Sequence, residues 1–529
     1  MMDLRDLGDF QTPPALVAAV LDALGPIGSR WPRVLEPTCG RGGFLAGLIE
    51  QADPPREIRG FEIQSAHFRA ARKVADASAS VHVEVRKANL FDLDLRRDLT
   101  WGRGGPLLVV GNPPWVTNSA LGGLGSTNLP TKSNFKRLRG IDAKTGASNF
   151  DIAEAVWLKL IRELADENPT IALLCKTSTA RAVLKFAAIE RLPVVEASIH
   201  KIDARIWFGA AVDACLCRVA LGPGARFDRI RVFRDFRATE PEAEIGHPQG
   251  RPVANLLTYG PLSFADGVCP MTWRQGLKHD AAAVMELVPG AACEPMCNKL
   301  GEPVAVEPEF VYPLIKCSDL FHHRTARPRR SVIVTQRRLG EDTRRLEHEA
   351  PRLWGYLRGH AARFERRKSS IYHGKPPFAL FGVGPYTFAP YKVAVSGLHK
   401  SPRFRAIGPV AGRPVMLDDT CYFLPCASPD QAALVTALWN DPTTLALIGA
   451  LTFVDSKRPI TKALLRRIDL GAILMRVDRA SLLERAEEER ANLVGPVTSG
   501  RIHPPWDLER SFGEPAPDED ILSVRGVLG

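Results

Sequence analysis

Four adjacent residues, Asn112-Pro113-Pro114-Trp115, combine groups that could act on an amine. Proline has no backbone N–H and a fixed φ, so the pair leaves carbonyl acceptors exposed and rigidly aimed. Asn112 adds a side-chain carbonyl, and Trp115 adds a flat apolar face. Such a set suits a planar ring bearing an NH2 group. Two acceptors take the two amine protons, draw the nitrogen lone pair out of conjugation and point it at an electrophilic methyl group. That chemistry needs alignment more than a strong base. A proline-rich turn with a chance tryptophan is the plainer alternative. It loses ground because the motif follows the apolar run Leu107–Gly111 and lies 72 residues after Gly40, in a second loop with chemical character.

That second loop is Glu36-Pro37-Thr38-Cys39-Gly40-Arg41-Gly42-Gly43-Phe44-Leu45. Glycines let a backbone turn sharply and approach a ligand closely. A nicotinamide site would want a third glycine where Leu45 stands. Further on, Gly60-Phe61-Glu62-Ile63 places an acid where it can accept hydrogen bonds from both hydroxyls of a ribose. In Lys87-Ala88-Asn89-Leu90 a polar side chain beside an apolar one could grip an adenine amino group and ring. Taken singly, each of these is also an ordinary turn or a surface acid.

The elements that must carry these loops are short apolar runs alternating with amphipathic stretches. Strands are expected at Arg33–Glu36, Ile58–Glu62, Val81–Val85, Leu107–Gly111, Ile171–Cys175, Val194–Ile199 and Val212–Leu221. Helical spacing fills Gln64–Asp76 and Ile152–Leu164. The alternation predicts an α/β, doubly wound, mostly parallel seven-stranded sheet with its ligand site at the carboxyl ends of the strands. A polar stretch, Thr117–Ser148, interrupts it. Its Lys132, Lys136, Arg137 and Arg139 make it either a solvated loop or a flap that touches a phosphate backbone.

A chain of 529 residues needs more than one core. The expected division is 1–224 for the sheet, 225–498 for a mixed α+β domain and 499–529 for a proline-rich tail. No apolar run has membrane-spanning length and no secretory signal opens the chain, so a cytoplasmic protein is expected. Ten scattered cysteines suit a reducing compartment. The close pairs Cys215/Cys217 and Cys293/Cys297 lack the second half of a zinc pattern, and no metal is expected. The net charge of +11 suggests a polyanionic partner. From Lys316 to Lys400 there are 18 Lys and Arg against 6 Asp and Glu, a difference of +12 that carries the whole excess. Within it, Arg366, Arg367, Lys368 and Lys392 interleave with aromatics, most of which should be core. The basic face reads as a nucleic-acid surface.

Together these motifs resemble the gamma-class N6-adenine DNA methyltransferases of restriction–modification systems, the TaqI-like family with a C-terminal target-recognition domain. The resemblance implies a Rossmann-like class I methyltransferase fold, S-adenosyl-L-methionine as cofactor and double-stranded DNA as substrate. It further implies a monomer, with any partner endonuclease a separate chain. Gln11-Thr12-Pro13-Pro14 is similar to the element that closes over the cofactor, which assigns Thr12 and Pro13 to it. Glu36, Pro37, Thr38, Gly40, Gly42 and Phe44 match the cofactor loop, Glu62 with Ile63 the ribose site, and Asn89 with Leu90 the adenine site. Asn112 faces both cofactor and target amine, with Pro113, Pro114 and Trp115 completing the catalytic motif. Ser148-Asn149-Phe150-Asp151 resembles the next motif. Ile206-Trp207-Phe208-Gly209 resembles the place where the family holds a second aromatic, so that Phe208 would stack on a flipped base opposite Trp115. Departures are Asn89 for the usual aspartate, Trp115 for the more frequent tyrosine, and Lys176 where a proline is common. Enzymes that methylate an exocyclic amine in RNA, or a glutamine amide in a translation factor, share the Asn-Pro-Pro-aromatic motif and remain the alternative.

Overall fold

The computed structural model describes residues 11–115, 151–289, 296–323 and 328–494. The basic residues of the Thr117–Ser148 stretch, Ser148–Phe150, Cys293 and the tail 499–529 lie outside the described residues. The chain divides into two compact units between Leu257 and Thr258.

The first unit is built on one sheet. Its strands are β1 (Arg33–Glu36), β2 (Glu57–Glu62), β3 (His82–Lys87), β4 (Leu107–Gly111), β5 (Thr170–Lys176), β6 (Val194–Asp203), β7 (Asp213–Leu221), β8 (Arg229–Phe233) and β9 (Ala243–Gly246). Their order is β3-β2-β1-β4-β5-β7-β6-β8-β9. From β3 to β5 neighbours are parallel, and β7 runs antiparallel to both β5 and β6. Strands β1 and β4 are buried at every residue. Central parallel strands are covered on both faces, so they read as unbroken apolar runs. The helices that matter for the site are α1 (Pro14–Leu24), α2 (Gly43–Ile49), α3 (Ser65–Asp76), α4 (Ile152–Glu163), α5 (Thr177–Ile189) and α6 (Ala204–Phe208). The core between α1, α2 and the sheet includes Leu16, Leu21, Phe44, Val34 and Val110.

The seven expected strands are present, but the sheet does not stop at 224. Strand β8 pairs parallel with β6, and β9 pairs antiparallel with β8, making nine strands. Arg229–Phe233 alternates exposed and buried residues at the sheet's edge, so it lacks the continuous apolar run that marks the central strands.

The second unit is mixed α+β. A five-stranded sheet has the order β12-β11-β14-β13-β17, from β11 (Glu286–Val288), β12 (Cys297–Asn298), β13 (Val311–Ile315), β14 (Arg330–Ile333) and β17 (Met416–Leu417). A four-stranded antiparallel sheet, β10-β18-β15-β16, joins Arg274–Gln275, Cys421–Cys426, Tyr391–Ser396 and Arg405–Ile407. Phe364 and Phe378 are buried in a core with Leu353, Leu357 and Leu380, as expected for most aromatics of this region.

Candidate active site

The residues expected at the cofactor from Glu36 onward follow the carboxyl ends of β1 to β4, four neighbouring strands. After β1 the chain turns through Gly40 (φ +54°) and Gly42 (φ +88°) into α2. A Cβ on Gly42 would meet the Ala71 backbone at 3.1 Å, so this turn needs glycine on both counts. Glu62, at the end of β2, holds the turn. Its carboxylate accepts the Gly40 N–H at 2.9 Å and the Gln64 N–H at 2.6 Å. Each carboxylate oxygen keeps a further lone pair for a ligand hydroxyl. Pro13 caps α1, accepting the Leu16 and Val17 N–H groups, and Gln11 accepts the Arg41 N–H at 3.3 Å. The Thr12–Pro13 element therefore lies against the glycine turn. Ile63 is half-buried beyond β2. Asn89 caps a short helical turn by accepting the Phe91 N–H at 3.1 Å, next to buried Leu90.

Two buried polar atoms of the turn, Glu36 Oε2 and Thr38 Oγ1, have no hydrogen-bond partner. Burial holds the Glu36 carboxyl well above the usual carboxylate range, and the Glu62 charge pushes the same way. Two acids around a glycine turn, with orphaned acceptors, suit a ligand that is cationic and rich in hydroxyls. S-adenosylmethionine, a sulfonium nucleoside, has that character.

The loop expected to face an amine begins where β4 ends. Asn112 is half-buried, Pro113 and Trp115 are buried, and the Trp115 indole N–H donates to the Leu174 carbonyl at 3.4 Å. The Trp115 carbonyl accepts from Lys176 Nζ at 2.8 Å, and the same ammonium pairs with Asp151 at 2.8 Å. Asp203 caps α6 and Gly209, at φ +63°, ends it, which delivers Phe208 to the loop. Phe208 meets Trp115 edge to face, with ring centroids 5.1 Å apart. A base stacked between two rings needs about 7 Å, two contacts of roughly 3.5 Å. The expected sandwich is therefore not formed here, and Phe208 would have to swing aside before a ring could lie between the two. The sequence had shown Lys176 only as a departure, because its partners lie 61 and 25 residues away.

No family model matches the chain. The type II methyltransferase M.NspV of Nostoc sp. is 35% identical over 475 residues, 88% of this chain and 97% of that protein. The chain belongs to the type II DNA methyltransferases of restriction–modification systems. Its cofactor is accordingly S-adenosylmethionine. Among solved structures, the type IIL restriction–modification enzyme MmeI in complex with DNA aligns with TM-score 0.51 at 12% identity. That alignment covers 94% of this chain and 75% of MmeI, and it speaks for the fold.

In the methyltransferase's second unit the basic residues sort differently from the sequence expectation. Arg366 and Lys368 are exposed. Lys392 is only 1% exposed and donates to the Ala389 carbonyl at 2.7 Å, so it cannot reach a phosphate. Its position on β15, paired on both sides by β16 and β18, puts it inside the sheet. Arg367 is half-buried, donates to the carbonyls of Phe364, His279 and Ala379, and lies 3.6 Å over the Tyr372 ring. It braces the fold, and the structure removes it from the phosphate set. Among the described residues one group of two thiols and a carboxylate, Cys317, Cys421 and Asp418, stands close together. A structural zinc takes four protein ligands. This group offers three, and Asp418 already accepts the Thr420 hydroxyl at 2.6 Å. Among the described residues no helix is long and apolar enough to cross a membrane.

Proposed function

We propose that this type II methyltransferase modifies N6 of adenine at a specific site in double-stranded DNA, after the base has left the duplex. The observation that carries the reading is the placement of Asn112-Pro113-Pro114-Trp115 at the end of β4, beside the glycine turn after β1, with Phe208 against Trp115. Bound S-adenosylmethionine supplies an electrophilic methyl group. Thr12 and Pro13 cover the cofactor, while Glu36, Pro37, Thr38, Gly40, Gly42 and Phe44 form its bed. Glu62 accepts the ribose hydroxyls, Ile63 and Leu90 pack the adenine, and Asn89 meets its amino group. The Asn112 side-chain carbonyl and the Pro113 carbonyl accept hydrogen bonds from the two N–H groups of the target amine and turn its lone pair outward. Trp115 gives the base a face to lie on, and Phe208, once displaced, closes the other face. Taking a base from the stack costs a few kcal/mol, least for a mismatched position. A mismatched or abasic target should accordingly bind more tightly than a paired one.

Exposed basic residues of the second unit, Arg366 and Lys368 among them, hold the DNA backbone in this reading. The enzyme works as a cytoplasmic monomer, and a cognate endonuclease would be a separate chain. The test is transfer of labelled methyl from S-adenosylmethionine to unmodified duplex DNA, followed by nucleoside analysis. N6-methyldeoxyadenosine as the labelled product supports the reading. Label in N4-methylcytosine, or in RNA or a glutamine-containing peptide instead of DNA, overturns it.

A further inference from the structure

We propose that Lys176 is a positioning residue for methyl transfer, a clasp that fixes Trp115 and through it the amine-directed loop. The proposal rests on the reading of Asn112–Trp115 as that loop. Lys176 closes β5 and stands at the N-terminal boundary of α5. Its ammonium reaches two points with no sequence relation to each other, the Trp115 carbonyl and the Asp151 carboxylate, each at 2.8 Å. Lys176 thus gathers three elements at one point: the exit of β4, the start of α4 and the end of β5.

The physical need is specific. Two prolines deprive the loop of two N–H donors, so neither Pro113 nor Pro114 can anchor it by a backbone donor. Trp115 is the first residue after them with both a backbone N–H and a polar side-chain donor. Its indole N–H is tied to the Leu174 carbonyl and its own carbonyl to Lys176, so both tethers lead to β5. A carbonyl bonded to an ammonium is held more strongly than one bonded to a neutral donor. Asp151 makes the clasp one-directional. Its other oxygen caps α4 at the Ala153 N–H, 3.1 Å away, which fixes the carboxylate and so the ammonium. The Lys176 side chain is 25% exposed and Asp151 12%, so water competes little for the pair. A reacting group misplaced by about 1 Å loses on the order of a hundredfold in rate. Freeing Trp115 would shift the acceptors beside it on that scale.

The experiment uses the full chain labelled with 5-fluorotryptophan, with the Trp115 fluorine resonance assigned by its loss in Trp115→Phe. In Lys176→Met the Trp115 resonance should move or broaden while that of Trp31, buried in the α1 core, stays put. Single-turnover methylation should fall by about 10- to 100-fold, with S-adenosylmethionine affinity within about twofold of wild type. Asp151→Asn, which keeps size and shape, should move the same resonance by less and serves if Lys176→Met does not fold. An unmoved Trp115 resonance in the folded variants overturns the proposal, as does a rate loss matched by an equal loss of cofactor affinity. A wild-type chain that methylates no DNA would sink the proposed function, yet the fluorine readout would still judge Lys176.

Discussion

The strand-end site of the first unit and the basic segment of the second differ in how their residues are committed. At the strand ends, polar side chains converge from distant positions on two neighbouring loops: Glu62 on Gly40 and Gln11 on Arg41 after β1, Lys176 on Trp115 after β4. In the basic segment Lys316–Lys400, by contrast, similar residues take opposite roles.

 Arg366 and Lys368 face solvent, Arg367 between them is spent on three carbonyls and a ring, and Lys392 is enclosed in a sheet. A site built by convergence shows in spacing, because each loop must follow its own strand. A charged surface shows only in composition, which does not tell which face a lysine takes.

That contrast can be broken most sharply at Asn112. Asn112→Ala should lower methyl transfer by about 100- to 1000-fold, as loss of a single aimed polar group does elsewhere, while leaving cofactor affinity nearly intact. Near-normal turnover in single-turnover kinetics would take Asn112 out of the reaction. Glu62→Ala should weaken S-adenosylmethionine binding by roughly 10- to 100-fold, because charge-assisted hydrogen bonds are worth about 1.5–3 kcal/mol. Calorimetry with unchanged affinity would leave Glu62 as a brace for Gly40 and Gln64 only.

In the second unit the expected effects are smaller and should separate exposed from buried charge. Replacing Arg366 and Lys368 together by alanine should flatten the salt dependence of DNA binding by about one unit per lost phosphate contact, with cofactor binding unchanged. An unaltered slope would place the DNA on another face. Lys392→Met should leave that slope alone and act on stability instead. Burial lowers the Lys392 pKa from 10.5 to about 7, with the Cys426 thiol opposing weakly. Between those values the unfolded chain binds more protons, so this lysine's contribution to stability rises with pH from about 7 to 10.5. Denaturant titrations across that window should lose the rise in Lys392→Met, and a rise that persists would mean the ammonium reaches water.

The same contrast explains what could be read before the structure. Strands β1 and β4 have the expected limits, Arg33–Glu36 and Leu107–Gly111, because both are buried throughout and end at a loop carrying glycine or proline. Strand β6 runs on to Asp203, past the expected Ile199, since its far end is mostly polar, half-buried and exposed by turns, and its pairing with β7 carries the extension. Strands β8 and β9 were hidden for a similar reason: they add at an edge, where pairing partners and not apolar runs define a strand. The Lys176 clasp had no signal beyond an unexpected residue type, since contacts across 25 and 61 residues leave no local pattern.

The central claim is that the loop after β4 presents an adenine amine of DNA to the cofactor bound beside β1. Its most direct test is expression of the chain in methylation-deficient bacteria, with modified bases mapped by single-molecule sequencing, beside an Asn112→Ala control. The account predicts N6-methyladenine at one recurring sequence in the wild type and none in the control. Genomic DNA without modification in cells that hold the folded, cofactor-binding protein, or N4-methylcytosine in place of N6-methyladenine, would contradict it.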